Sequence, residues 1–153
     1  MQYRIESLEQ MEQLMPLIRE VLESGQSVRI YPMGTSMLPM LRQGTDSVVL
    51  SPLPETLRKF DIPLYRRDNG KYILHRIVGA GNPYICMGDN QFRKEPGIRR
   101  DQMIAVVTAF YRGEKRCSVR SFGYRIYCWV WYYSRYLRYF CHRALGRIRR
   151  HLG

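Results

Sequence analysis

"RRDNGKYILHRIV", residues 66 to 78, joins a turn to an apolar run. Asp68-Asn69-Gly70 is turn chemistry: the glycine accepts a positive φ, and Asp and Asn bond their own backbone. The flanks "IPLYRR" and "KYILHRIV" are rich in Ile, Leu, Tyr and Val, so the pattern predicts a β-hairpin. In the second strand, alternation sends Ile73, His75 and Ile77 to one face and Leu74, Arg76 and Val78 to the other. A histidine held between two isoleucines is largely desolvated, which favours its neutral, basic form.

The same extended signal recurs outward from this hairpin. "SVRIYP", "SVVL", "PYICMG" and "MIAVVTAFYR" are short β-type runs separated by turn residues. They predict a mainly β fold, a compact and mostly antiparallel domain over residues 27–112. Residues 1–26 precede it with an amphipathic helix over 7–24. There Leu8, Met11, Leu14, Met15, Ile18, Val21 and Leu22 recur at helical spacing, Ser7 with Gln10 forms a capping-box pattern, and Gly25 supplies the stop. Pro16 is expected to bend or restart this helix. Residues 113–153 follow as a basic, aromatic C-terminal helix or tail.

Charge separates the tail from the body. Residues 1–111 carry 14 Lys/Arg against 12 Asp/Glu, whereas residues 112–153 carry 11 Lys/Arg against Glu114 alone. The tail also holds ten of the nineteen aromatic residues, between Phe122 and Phe140. On a helix, Trp129, Val130, Tyr133, Tyr136, Leu137, Phe140, Ala144 and Ile148 share one face, and Arg135, Arg138, His142 and Arg149 lie opposite. Such a helix seeks phosphate, on lipid headgroups or on nucleic acid. Arg125 and Arg135 bracket only nine uncharged residues, against the roughly 20 needed to span a bilayer. A helix lying in the interface of an anionic membrane is therefore expected, and nucleic acid is the less favoured partner.

The four cysteines show neither metal-ligand spacing nor a CxxC pair, and no nucleotide-binding loop is present. No metal or other cofactor is expected. "MQYRIESLEQMEQLM" lacks both a basic start and an apolar core, so it does not read as a secretory leader.

Ser36 lies in "GTSMLPM", residues 34–40, between two apolar stretches. A serine reacts only if a base takes its proton and donors hold the developing oxyanion. Outside the tail, His75 is the only histidine, and a carboxylate to orient it can come from "MGDNQFRKEPG" through Asp89 or Glu95.

Taken in order, "GTSMLPML", "GTD" at 44–46, "LHRIVG" at 74–79 and "GDN" at 88–90 resemble the boxes of the signal peptidase I family. That class of serine peptidases also contains the self-cleaving SOS repressors. The resemblance covers roughly residues 29–108. Ser36, Met37 and Pro39 match the first box, while the second has Thr45 between its usual Gly and Asp. The bacterial enzymes place a lysine where this chain has His75. The endoplasmic-reticulum, archaeal and sporulation-type enzymes have His-Arg, as His75-Arg76 does. Lys71 lies about 13 Å along an extended strand from His75, too far to substitute.

The resemblance implies a serine endopeptidase cleaving signal or leader peptides, with Ser36 as nucleophile and His75 as general base. Family members of the His type use an aspartate where this chain has Glu95, and Asp89 remains a second candidate. Gly34 replaces a hydroxyl that many bacterial members use as an oxyanion donor, leaving the Ser36 N–H and Thr35. Met37, Leu38 and Pro39 are expected to border the cleft, where a peptide or preprotein binds extended along a sheet edge. The location this implies is a membrane surface, on either side. Two other readings compete: a non-catalytic nucleic-acid-binding module and a self-processing regulator. The second is weakened because no helix-turn-helix pattern precedes the β region.

Overall fold

The helix α1 (Leu8–Glu23) ends where its capping residues dictate. Gly25 sits at φ +80°, its N–H bonds to Leu22 O at 3.0 Å, and Gln26 N–H bonds to Val21 O at 3.1 Å. That is a Schellman closure, which satisfies the last carbonyls. Pro16 lies inside one continuous helix. Met11, Met15, Ile18, Val21 and Leu22 are buried on its inner face. At about 1.5–3 kcal/mol for each buried side chain, this stripe alone fixes the helix on the sheet. A computed structural model of the chain describes residues 2–4 and 8–141. The Ser7 cap and the Leu8 side chain fall outside the described residues, as do His142, Ala144, Ile148 and Arg149 of the tail.

The chain is mainly antiparallel β in two sheets, with the N-terminal helix and C-terminal helices against them. Among the described residues, ten strands follow in chain order. They are β1 (Gln2–Arg4), β2 (Val28–Tyr31), β3 (Ser47–Ser51), β4 (Pro63–Arg66), β5 (Tyr72–Leu74), β6 (Arg76–Gly79), β7 (Tyr84–Met87), β8 (Glu95–Ile98), β9 (Met103–Arg112) and β10 (Lys115–Ser118). The larger sheet runs β1-β2-β3-β9-β4-β5, with β10 also paired to β9. The smaller runs β6-β7-β8. Only the β1–β2 pair is parallel among these.

The turn at 67–71 closes as its residues predict. Gly70 takes φ +84°, and Arg67 N–H bonds to Lys71 O at 2.9 Å. It pairs β4 with β5, setting Tyr65 opposite Ile73. The run after it is not one strand, however. "KYILHRIV" splits at His75, with β5 closing the large sheet and β6 opening the small one. Alternation survives the break. Ile73 and Ile77 pack with Tyr65, Cys86 and Met103 between the sheets, whereas Leu74 faces the core beneath α1. His75 thus stands at the crossing between the sheets, 3 % exposed.

The boundary expected at 112/113 falls in the β9–β10 hairpin turn, where Lys115 pairs with Arg112. Beyond it, α2 (Phe122–Tyr133) starts at the Ser121 cap, whose hydroxyl accepts from Tyr124 N–H at 3.3 Å. Tyr124 and Cys128 enter the same core as α1, so the start of the tail is built into the β body. Residues 135–141 continue as helix after a break at Ser134.

Candidate active site

Ser36 lies in the loop after β2, which is anchored from below. Met37, Met40 and Leu41 are buried in the main core, and Leu41 N–H bonds to Met37 O at 3.0 Å. Asp46, fully buried, closes the loop: it takes Arg42 through Nε at 3.0 Å and Nη2 at 2.9 Å, and Gly113 N–H at 3.2 Å. From above, the Gly88-Asp89-Asn90 turn is stapled to the serine. Asn90 N–H donates to Ser36 O at 2.8 Å and its side-chain amide donates to Thr35 O at 3.2 Å.

Gly88 packs against both the Ser36 backbone and the His75 ring. A Cβ at this position would lie 2.6 Å from Ser36 O and 3.1 Å from His75 Nε2. Only a residue without a side chain lets the serine loop and the imidazole edge approach the turn together. Nε2 therefore faces the Ser36 loop, and Nδ1 faces away from it.

On the Nδ1 side stand Tyr65 and Glu95. The Tyr65 hydroxyl is 3.3 Å from Nδ1 and donates to Glu95 Oε2 at 2.9 Å, and that carboxylate oxygen is itself 3.6 Å from Nδ1. Arg67 grips both oxygens of Glu95 at 2.5 Å each. Tyr65 has one proton, and it goes to Glu95, so its lone pair is left for an Nδ1–H. That tautomer leaves Nε2 unprotonated on the serine side, as a general base requires.

The electrostatics agree with this arrangement. Burial pushes His75 down to about 4, only partly opposed by Glu95, so the ring is neutral at physiological pH. Burial, reinforced by Cys86 and Glu95, pushes the Tyr65 phenol far above its usual range, so it keeps its proton. Burial works against ionisation of Glu95, but Arg67 and Tyr65 hold its carboxyl below the ordinary range.

Asp89 is engaged elsewhere. Its carboxylate pairs with Arg76 through Nε and Nη2, both at 2.7 Å, and accepts from the Tyr127 hydroxyl at 3.0 Å. Its carbonyl accepts from Trp131 Nε1 at 2.7 Å. Arg76 also donates to the Tyr124 hydroxyl at 2.7 Å and to Phe60 O at 3.2 Å. Arg76 and Asp89 are each 3 % exposed, and through Tyr124, Tyr127 and Trp131 this buried ion pair ties α2 to the Gly88-Asp89-Asn90 turn.

A groove passes beside Ser36. Met33, Gly34, Met37 and Gln43 line one wall, and Tyr72, Ile73 and Leu74 of β5 line the other. β5 ends the large sheet. Gly34 takes φ +87°, and its N–H donates to Gln43 Oε1 at 3.2 Å. Pro39, expected beside the cleft with Leu38, does not line the groove: the loop turns away after Met37, and Pro39 O accepts from Arg112 at 2.6 Å. Thr35 does not line the groove, and its carbonyl accepts from the Asn90 side-chain amide.

Tyr65 and Arg67 were not singled out from the sequence, and Gly88 was read only as part of the GDN box. The i, i+2 spacing of Tyr65 and Arg67 on β4 and its turn was the available signal, but it is shared by many pairs in a chain with 12 tyrosines.

No family profile, no curated protein and no solved structure matches this chain.

Proposed function

We propose that the chain is a serine endopeptidase of the signal peptidase type. The observation that carries this reading is the meeting at Gly88, with the Ser36 loop on the Nε2 side of His75 and Tyr65 with Glu95 on the Nδ1 side. His75 Nε2 takes the Ser36 hydroxyl proton as Oγ attacks a peptide carbonyl. The imidazolium gives that proton to the leaving amine as the C–N bond breaks, and an acyl-enzyme remains. Water, deprotonated by the same nitrogen, then releases the acid and restores Ser36.

Tyr65 and Glu95 act on the ring rather than on the substrate. Tyr65 is a positioning residue that fixes the tautomer, and Glu95 favours the imidazolium formed during attack. The Ser36 N–H and Thr35 are the proposed oxyanion donors. The substrate is an extended signal or leader peptide laid along β5, with its side chains entering the groove walled by Met33 and Met37.

Incubation of the purified full chain with a library of signal and leader peptides, followed by mass spectrometry, tests the reading. Cleavage at a defined bond, absent in Ser36→Ala and in His75→Ala, is the expected outcome. Cleavage that persists in Ser36→Ala, or none across the library by the unmodified chain, contradicts it.

A further inference from the structure

The helices after β10 have two unlike sides. The inner one is committed to the body through Tyr124, Cys128 and Tyr132, all buried, and through Tyr127 and Trp131 on Asp89. The outer one presents Phe122, Trp129, Tyr133, Tyr136, Leu137 and Phe140, each more than half exposed. A continuous apolar surface of this kind is rare on a protein that works free in water. Two of the arginines expected to form an opposing cationic face are turned inward instead. Arg135 is buried and lies 4.2 Å from the Tyr132 ring centre, and Arg138 lies 3.5 Å from that of Trp131. Among the charged side chains of residues 122–140, Arg125 alone is exposed.

At the border of this surface three cations gather around one ring. Lys59 Nζ is 4.7 Å, Lys94 Nζ 5.9 Å and the Arg135 guanidinium 4.2 Å from the centre of Tyr132. Lys59 also donates to the Tyr133 hydroxyl at 3.3 Å. None of the three forms an ion pair with a carboxylate among the described residues. Like charges gathered around one ring repel, and an anion among them removes the repulsion. Rings outward with uncompensated cations at their edge is the pattern by which an interfacial helix meets acyl chains and phosphates together.

We propose that the outer face of α2 and of residues 135–141 docks on an anionic lipid surface, with the exposed Lys59 and Lys94 receiving a headgroup phosphate beside the buried Arg135. No helix among the described residues is long and apolar enough to cross a membrane, so the contact is interfacial. Nucleic acid fits this face less well, because the outward side chains are rings and aliphatics with Arg125 as their one exposed charge. The docking does not depend on peptidase activity. If the peptidase reading also holds, the Asp89 clasp sets the Ser36 groove beside the bilayer, and membrane-borne leader peptides become the substrate class.

Sedimentation of the full chain tests this, using phosphatidylcholine vesicles with and without one-third phosphatidylglycerol. Sedimentation with the anionic vesicles and a blue shift of tryptophan emission are expected. Lys59→Gln with Lys94→Gln should weaken binding roughly twenty-five-fold, since each basic residue at an anionic surface contributes about a factor of five. Trp129→Ala with Phe140→Ala should abolish the blue shift while circular dichroism stays unchanged. Both pairs are exposed, so either one alone keeps the test decisive if the other fails to fold. The proposal is overturned if neither vesicle binds, if both double variants bind as the parent does, or if the chain binds RNA in about 0.2 M salt and no vesicle.

Discussion

The Tyr65 hydroxyl lies 3.3 Å from Nδ1 of His75, and its proton is committed to Glu95 at 2.9 Å. If this contact orients the general base, Tyr65→Phe removes the hydrogen bond but keeps the ring packed between the sheets. Turnover should fall roughly tenfold to a hundredfold, the worth of a buried hydrogen bond at a catalytic group, with KM little changed. An unchanged kcat would show that Glu95 alone orients the ring.

The two carboxylates near the site should behave differently. Glu95→Gln removes the charge facing Nδ1 and should lower kcat on the order of a hundredfold or more. Asp89→Asn leaves Arg76 as an uncompensated buried charge, costing about 3–5 kcal/mol and lowering Tm by roughly 10 °C. Thermal melts and initial rates on both variants separate the roles. A larger kcat loss in Asp89→Asn, with its Tm intact, would exchange them.

Gly88→Ala tests the juxtaposition itself. Its Cβ would sit 2.6 Å from the Ser36 carbonyl, so the serine loop or the imidazole must move. A displacement near 1 Å costs about a hundredfold in rate. Full activity in this variant would mean that Ser36 and His75 do not act together.

The depressed His75 value fixes a pH signature. With the folded ring titrating at about 4, kcat/KM should hold from neutral pH through pH 6 and fall only on approach to that value. Stability runs the same way. Between the unfolded value of 6.5 and the folded value of about 4, the unfolded chain binds the extra proton, so stability declines as pH drops through that window. An acid limb of kcat/KM near 6.5 would contradict a buried neutral base.

Much of this site was legible in the chain. The Asp68-Asn69-Gly70 turn and the Val/Ile/Tyr runs marked the hairpin, and the order of Ser36, His75 and Gly88-Asp89-Asn90 marked the segments that pack around Gly88. The break at His75 was not legible, because a continuous apolar run does not say which sheet each half will join. β8 was hidden as well: Glu95-Pro96-Gly97-Ile98 reads as turn, and only pairing with β7 makes it a strand. For the same reason Asp89 and Glu95 were equal candidates, since their separation depended on where Arg76 and Arg67 would lie. Helical spacing found the outward face of α2 but not the inward turn of Arg135 and Arg138. A helical wheel fixes angles, and only a packed neighbour decides which side is buried.

If Ser36 is the nucleophile and His75 its base, covalent trapping reads both at once. The full chain is treated at neutral pH with an acylating serine trap, digested, and the adduct mapped by mass spectrometry. The predicted result is one adduct, on Ser36, lost in His75→Ala while that variant remains folded. An adduct elsewhere, or labelling of Ser36 that is equally fast without His75, would contradict the account.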